Sequence, residues 1–170
     1  MRAAVLGLAA LLVLTGCSGG ADPTPPGEVI PVADRDPAPP VAGDLLGGGT
    51  FDPARTDGVV TVVNFWGSWC PPCRLEVPEL QDLADRNPDV LVVGVALRDS
   101  PELAEQFRVH QGISYPSIDD PGGELATAFR AWPLTSTPST VVLDDRGRVA
   151  AAYPGPVSAE DLQRAVDQLA

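Results

Sequence analysis

Apolar positions along the chain fall into two registers that alternate. Val59-Val60-Thr61-Val62-Val63, continuing to Phe65, is an almost unbroken β-branched run that follows the turn signal Asp57-Gly58. A strand that is apolar on both sides predicts burial on both faces, in the middle of a sheet covered by helices. From Cys70 to Asp85 the spacing becomes helical. Leu75, Leu80 and Leu83 carry the apolar stripe with Val77 and Ala84 beside it, while Glu79, Asp82 and Asp85 give a wet side. Pro71 and Pro72 suit a first turn, where no N–H partner is needed, whereas Pro78 predicts a kink. Asn87-Pro88 stops the helix, and Val90 to Leu97 reads as a second buried strand.

The same alternation continues to the C-terminus. Ser100-Pro101-Glu102 opens a helix with Leu103 and Phe107 on its inner face, and Gly112 ends it. Ile113 to Ile118 includes a short extended segment, Asp119 to Gly123 is a turn cluster, and Glu124 to Trp132 reads as a short helix with Leu125, Ala128 and Phe129 inward. Ser139 to Leu143, the turn Asp144-Asp145-Arg146-Gly147 and Arg148 to Tyr153 predict an antiparallel hairpin at one sheet edge. Ser158 caps a last helix whose inner face is Leu162, Val166 and Leu169. Ahead of all this, Val41 to Leu46 and Thr50-Phe51 flank Gly47-Gly48-Gly49 as a small hairpin. The pattern predicts one three-layer α/β domain over residues 41–170, with a central mixed sheet flanked by helices and an N-terminal hairpin extension.

Residues 1–40 have a different character. Met1-Arg2 and the apolar run Ala3 to Val13 form a signal-peptide core, too short for a span of about 20 residues. Leu14-Thr15-Gly16-Cys17 resembles a bacterial lipobox, which implies a signal peptide over 1–16 and lipid attached to Cys17 on the extracytoplasmic face of the membrane. The alternative is ordinary secretion with Cys17 free or removed. Residues 17–40, with prolines at 23, 25, 26, 31, 37, 39 and 40, bury too little to offset their ordering entropy and read as a disordered tether.

Charge and cysteine count narrow the chemistry. The 170 residues carry 11 arginines, no lysine and the single His110, against 23 acidic side chains, for a net charge of -12 with the histidine neutral. No basic surface is available for phosphate backbones, which argues against nucleic acid as a partner. Of three cysteines, Cys17 directly follows the apolar leader and reads as a processing residue, which leaves Cys70 and Cys73 for chemistry. Cys70 lies at a helix N-terminus, where unpaired N–H groups and the helix dipole favour a thiolate, so its pKa falls below the free value of about 8.5. Cys73 is within disulfide reach, and an accessible Cys70 attacking a substrate disulfide would be resolved by it. Pro71 and Pro72 stiffen the intervening turn and remove two donors. A structural zinc site would need two more ligands, and among Cys and His only Cys17 and His110 are available, the first far away on a tether and the second at a helix end. A purely structural disulfide is the other reading, although so small a loop removes little unfolded-state entropy.

The stretch Asn64-Phe65-Trp66-Gly67-Ser68-Trp69-Cys70-Pro71-Pro72-Cys73-Arg74-Leu75-Glu76-Val77-Pro78 resembles the active-site segment of the thioredoxin superfamily. It is most similar to the extracytoplasmic TlpA/ResA/DsbE-like branch, and the likeness extends through Val90 to Leu97, Asp119 to Gly123 and Thr137-Pro138-Ser139-Thr140, covering roughly residues 41 to 170. The resemblance implies a thioredoxin-like fold and a thiol–disulfide oxidoreductase needing no cofactor, acting on exported protein disulfides such as apocytochrome c with a membrane electron-transfer partner. It implies that Pro138 follows a cis bond, exposing the backbone at Thr137 for substrate pairing, and that Trp69, Pro71 and Pro72 border the sulfur. Asn64 and Pro78 would be structural neighbours of the site. Asn64 stands where a general thioredoxin carries Asp, which leaves Glu76 as the carboxylate able to exchange protons with Cys73; a surface Glu near a helix start is the plainer reading. Pro133 ends the preceding helix. Trp132 and Tyr115 either border the substrate surface or simply pack. The direction of electron flow stays open between reductase and a DsbE-like oxidase that inserts disulfides. Two further alternatives are a tethered binding module that keeps its disulfide for shape, and a peroxiredoxin-like peroxidase, for which Cys70 within WCPPC is the wrong setting.

Overall fold

The computed structural model describes residues 24–132 and 134–169. The signal peptide over 1–16, Cys17, the first part of the tether and Pro133 lie outside the described residues. Chain order is β1 (Gly43–Asp44), β2 (Thr50–Phe51), β3 (Thr61–Trp66), α1 (Pro71–Arg86), β4 (Leu91–Leu97), α2 (Pro101–Gln111), β5 (Ser117–Asp120), α3 (Glu124–Ala128), β6 (Ser139–Leu143), β7 (Val149–Pro154) and α4 (Ala159–Asp167). Five strands form one sheet in the order β5-β4-β3-β6-β7, with β3, β4 and β5 parallel and β6 and β7 antiparallel to their neighbours. The first two strands pair separately as the expected glycine-turned hairpin, and Leu45 bridges to Ile118 at the β5 edge.

Period-two alternation along the central strands divides the core. Val62, Trp66, Val92, Ala96 and Val142 face the layer of α1, α2 and α4, where they meet Val77, Leu80, Leu83, Phe107 and Leu162. Val63, Phe65, Val93, Val95 and Val141 face the other way, onto Phe129, Val41, Phe51 and Ile118. β3 is therefore buried at every position, as its β-branched run requires. Gly94 interrupts β4 for a packing reason: a Cβ there would lie 2.6 Å from Trp66 Nε1 and 2.7 Å from Ser117 Oγ.

Helix ends follow local chemistry. The Ser100 and Ser158 side chains accept from the N–H groups of Leu103 and Asp161, and Gly112 closes α2 in the left-handed region at φ 69°. The helix faces are less simply read. Leu75 is 78% exposed and Leu103 is exposed, contrary to their expected inward positions; Ala104 and Phe107 form the inner face of α2. Ala128 is likewise exposed, and only Phe129 of its group is fully buried. Leu75 sits about 200° around the helix from Cys73, on the opposite side from the true stripe of Cys73, Glu76, Val77, Leu80 and Leu83.

The largest departure concerns the expected tether. From Gly27 the chain is not a free spacer but a strap along the outer edge of β7. Gly27 N donates to Ala152 O at 2.9 Å, Ile30 N to Ala150 O at 2.7 Å and Ala38 N to Gly147 O at 2.9 Å, while Val149 N donates to Asp36 O at 2.9 Å. Val29, Ile30 and Ala38 pack against the two core clusters. Arg35 and Arg148 both pair with Asp144, at 3.2 and 2.7 Å, in a group whose Arg35 and Asp144 side chains are almost fully buried. Backbone bonding to an otherwise open sheet edge and this ion-pair cluster hold a segment whose composition alone would leave it loose.

Candidate active site

The carboxyl ends of β3 and β4 converge where β3 turns into α1, and the candidate site is built at that corner. Trp66 closes β3 inside the core; Gly67 follows, and the Trp69 indole folds back over it, since a Cβ at Gly67 would meet that ring at 2.7 Å. Trp69 Nε1 donates to Leu97 O at 3.2 Å, and its ring is 53% exposed. Asp99 pins the loop from beneath: its Oδ1 accepts from Ser68 Oγ at 3.0 Å and from Ser100 N at 2.9 Å, and its Oδ2 accepts from Ser68 N.

Cys70 is the N-cap of α1, and it is joined to Cys73 by a disulfide with Cα atoms 5.4 Å apart. Pro71 and Pro72 occupy the first two helical positions and offer no N–H, so the donor to the Cys70 sulfur is Cys73 N at 3.3 Å. That bond is a preformed stabiliser of a thiolate at residue 70. The expected openness of Cys70 is corrected: the residue is only 2% exposed. The loop carrying the cis Thr137-Pro138 peptide lies against it, with Thr137 O 3.5 Å from the sulfur.

Beneath the disulfide a buried polar chain crosses the core. Asn64 Nδ2 donates to Thr140 Oγ1 at 3.0 Å and to Glu76 Oε2 at 2.9 Å, and Val157 N donates to Glu76 Oε1 at 3.0 Å. Glu76 is 2% exposed, on the same inner face of α1 as Cys73. Burial pushes its carboxyl up from 4.5 to about 7, against the opposing effect of the Asn64 and Val157 hydrogen bonds. A surface Glu near a helix start does not describe it. Tyr115, whose hydroxyl is buried without a hydrogen-bond partner among the described residues, has its ionisation pushed upward by burial and then by the negative charge of Glu76.

Among the residues singled out by sequence, the structure brings together Cys70, Cys73, Glu76, Asn64, Trp69, Pro71, Pro72, Thr137 and Pro138. Pro78 lies inside α1, one turn beyond the site. Tyr115 lines the core under the dithiol and is shut off from a substrate surface, and Trp132 packs half-buried on Phe129 with ring centroids 5.7 Å apart. His110 is exposed on α2 near Trp69 and Phe107. Sequence reasoning missed Asp99, Thr140 and the Val157 N–H. Nothing local marks Asp99, while Thr140 was legible only as part of the segment after Pro138. Among the described residues no group of three or more His, Cys, Asp or Glu could hold a metal ion, and no helix is long and apolar enough to cross a membrane.

The arrangement can carry out thiol–disulfide exchange: a capped cysteine, a partner one turn away, and a buried carboxyl tuned to give or take a proton near neutrality. Comparison with known proteins gives the same direction. The AhpC/TSA family matches residues 35–152. The thiol:disulfide interchange protein HelX of Rhodobacter capsulatus is 33% identical over 114 residues, which is 66% of this chain and 62% of HelX. A DsbE homolog, likewise a thiol:disulfide interchange protein, from Paracoccus denitrificans is 40% identical over 103 residues, 60% of this chain and 54% of that protein. The chain therefore spans somewhat over half the length of these curated relatives. The crystal structure of a DsbF homologue from Corynebacterium diphtheriae superposes with a TM-score of 0.78 at 33% identity, covering 88% of this chain and 98% of that one.

Proposed function

The chain belongs to the AhpC/TSA family, and from that premise we propose that it is a thiol–disulfide oxidoreductase working on exported proteins, with Cys70 as nucleophile and Cys73 as resolving thiol. The observation that carries this is the Cys70–Cys73 disulfide at the start of α1, directly above the buried Glu76. In the reducing direction the Cys70 thiolate attacks one sulfur of a substrate disulfide, forming a mixed disulfide and releasing a substrate thiolate. The Cys73 thiol passes its proton to the Glu76 carboxylate, and its thiolate attacks the Cys70 sulfur. The second substrate thiolate leaves and the intramolecular disulfide closes. Two electrons pass from the dithiol to the substrate.

The peptide backbone at Thr137, ahead of the cis bond and 3.5 Å from the sulfur, and the exposed Trp69 ring, one residue ahead of Cys70, are assigned to holding the substrate segment. The peroxidase chemistry associated with other proteins of this fold is not assigned here, because Cys70 sits in a two-cysteine motif whose partner is one turn away. The physiological setting is proposed as the extracytoplasmic face of the membrane, with Cys17 acylated. There the protein reduces substrate disulfides in support of cytochrome c maturation, with electrons from a membrane thiol–disulfide protein. The likeness to HelX and to a DsbE homolog, both thiol:disulfide interchange proteins, supports the exchange chemistry, and the lipobox-like Leu14-Thr15-Gly16-Cys17 supports the setting.

The test is capture and potential together. In a Cys73→Ser protein, exported substrates accumulate as mixed disulfides on Cys70, and apocytochrome c is among them. A dithiol potential below that of the exported substrates supports the reductase, and a strongly oxidising one reverses the direction to disulfide insertion. Absence of mixed disulfides and of turnover with any protein disulfide refutes the assignment.

A further inference from the structure

The strap joins the domain at the same end of the sheet as the dithiol. Its β7 partners descend from Ala152 at Gly27 to Gly147 at Ala38, so it runs antiparallel to β7. The C-terminal end of β7 is the dithiol end: Gly155 N donates to Pro138 O at 3.0 Å, and Thr137 O is 3.5 Å from the Cys70 sulfur. Gly27 is level with Ala152, two residues from Pro154 and so about 7 Å from that end along the strand. Ala38 bonds at the β6–β7 turn, at the opposite end. The strap is fixed in this direction by Arg35, which pairs with Asp144 and donates from Nε to Ile30 O at 2.9 Å, and by Arg148 Nη1, which donates to Val32 O at 3.2 Å.

A second observation coincides with the first. Trp69, Leu75 and Leu103 are exposed on the starts of α1 and α2 or just ahead of them, where β3 and β4 deliver the chain. Of the other large apolar side chains exposed among the described residues, Val109 lines the same groove as Trp69 and Leu103, and Val32 lies on the strap beside Arg148, away from that end. The dithiol thus sits beside an apolar rim, and the chain enters the domain close by.

We infer that the strap sets the facing and the reach of the active site: with Cys17 held at the bilayer, the dithiol end and its apolar rim are turned toward the membrane. This rests on the anchored oxidoreductase reading given above. Ten residues separate Cys17 from Gly27, which even fully extended span at most about 36 Å. The opposite end of the domain could meet the bilayer only with most of that length stretched along the molecule, at a cost in chain entropy. A tether entering beside Ala38 would have produced the reverse orientation.

The test uses the full acylated chain in vesicles of phosphatidylethanolamine and phosphatidylglycerol containing an acceptor-labelled lipid. A fluorescent amino acid is placed either at Glu102, at the dithiol end, or at Asp89, in the turn between α1 and β4 at the far end. The two ends are separated by a strand of about 20 Å. Energy transfer to lipid from position 102 should exceed that from 89 by about twofold or more, and inserting a flexible Gly/Ser segment of about thirty residues after Gly20 should abolish the difference. Equal or reversed transfer on acylated protein overturns the inference and leaves the oxidoreductase reading standing. An unacylated Cys17 by mass spectrometry overturns the anchor and the inference with it, while turnover of protein disulfides reports on the chemistry separately.

Discussion

At the scale of residues, Glu76 is the group whose environment departs furthest from its sequence. A carboxyl in the core stripe of a helix is disfavoured unless its charge can be removed, and here burial holds its proton to about pH 7. The linkage has a definite sign. The folded pKa lies above the unfolded one, so the stabilisation is complete below about pH 4.5 and is lost as pH rises through 7. At about 1.4 kcal/mol per pKa unit the full swing is of the order of 3 kcal/mol. Urea unfolding of the oxidised domain should show wild type losing that amount between pH 4.5 and 8.5 relative to Glu76→Gln, because an amide does not titrate. Parallel pH profiles would show that the carboxyl is not held this way. The pH profile of disulfide exchange should also lose an inflection near 7 in Glu76→Gln, whereas a purely structural role would lower stability and leave that profile in place.

The same residue explains what was legible. Val59 to Phe65 as a central strand, the N-cap at Ser100 and the hairpin about Asp144 to Gly147 all follow from patterns that local physics enforces. The inner face of α1 did not, because Glu76 occupies a core position and breaks the apolar stripe, so Leu75 looked like the better member. The spacing of Glu76, three residues beyond Cys73 and so on about the same helix face, and the family likeness together pointed to it. Asp99 and the Val157 N–H are distant in sequence and meet the site only after folding, beyond the reach of any pattern.

At the scale of elements, α1 begins with two residues that cannot donate. An N-cap side chain ordinarily accepts from the second or third N–H of its helix; Pro72 removes the first of these and leaves Cys73 N. Pro72→Ala restores the missing donor. One added charge-assisted hydrogen bond should lower the Cys70 pKa by about one unit and make the pair more oxidising. Ultraviolet thiolate absorbance against pH measures it. An unchanged pKa would mean that the restored N–H does not point at the sulfur.

At the scale of the whole molecule, the strap changes how the chain is understood. Its prolines and scarcity of long apolar side chains read as disorder, since composition reports what a segment can bury and not which open edge awaits its backbone. Arg35 is the side chain that ties it to the hairpin turn. Asp144 is subject to burial, which alone would raise its pKa, but hydrogen bonds from Arg148, Arg35 and the Arg146 N–H hold its carboxyl below the usual range. Arg35→Ala removes one of two cationic partners and leaves Arg148 in place, so the expected loss is about 2 kcal/mol, less than for breaking an isolated buried pair. Amide exchange over residues 27–38 should accelerate while β3 and β4 stay protected. Unchanged protection of the strap would show that the backbone bonds to β7 hold it alone.

The central claim is that the sulfur of Cys70 is unusually acidic and swaps bonds with a neighbour one turn away. Thiol titration of the reduced domain, followed by mass mapping of the first cysteine to react with a peptide disulfide, tests it most directly. A Cys70 pKa clearly below about 8.5, with Cys70 reacting ahead of Cys73, is the predicted result. An ordinary thiol pKa at residue 70, with no reaction toward disulfides, would contradict the account.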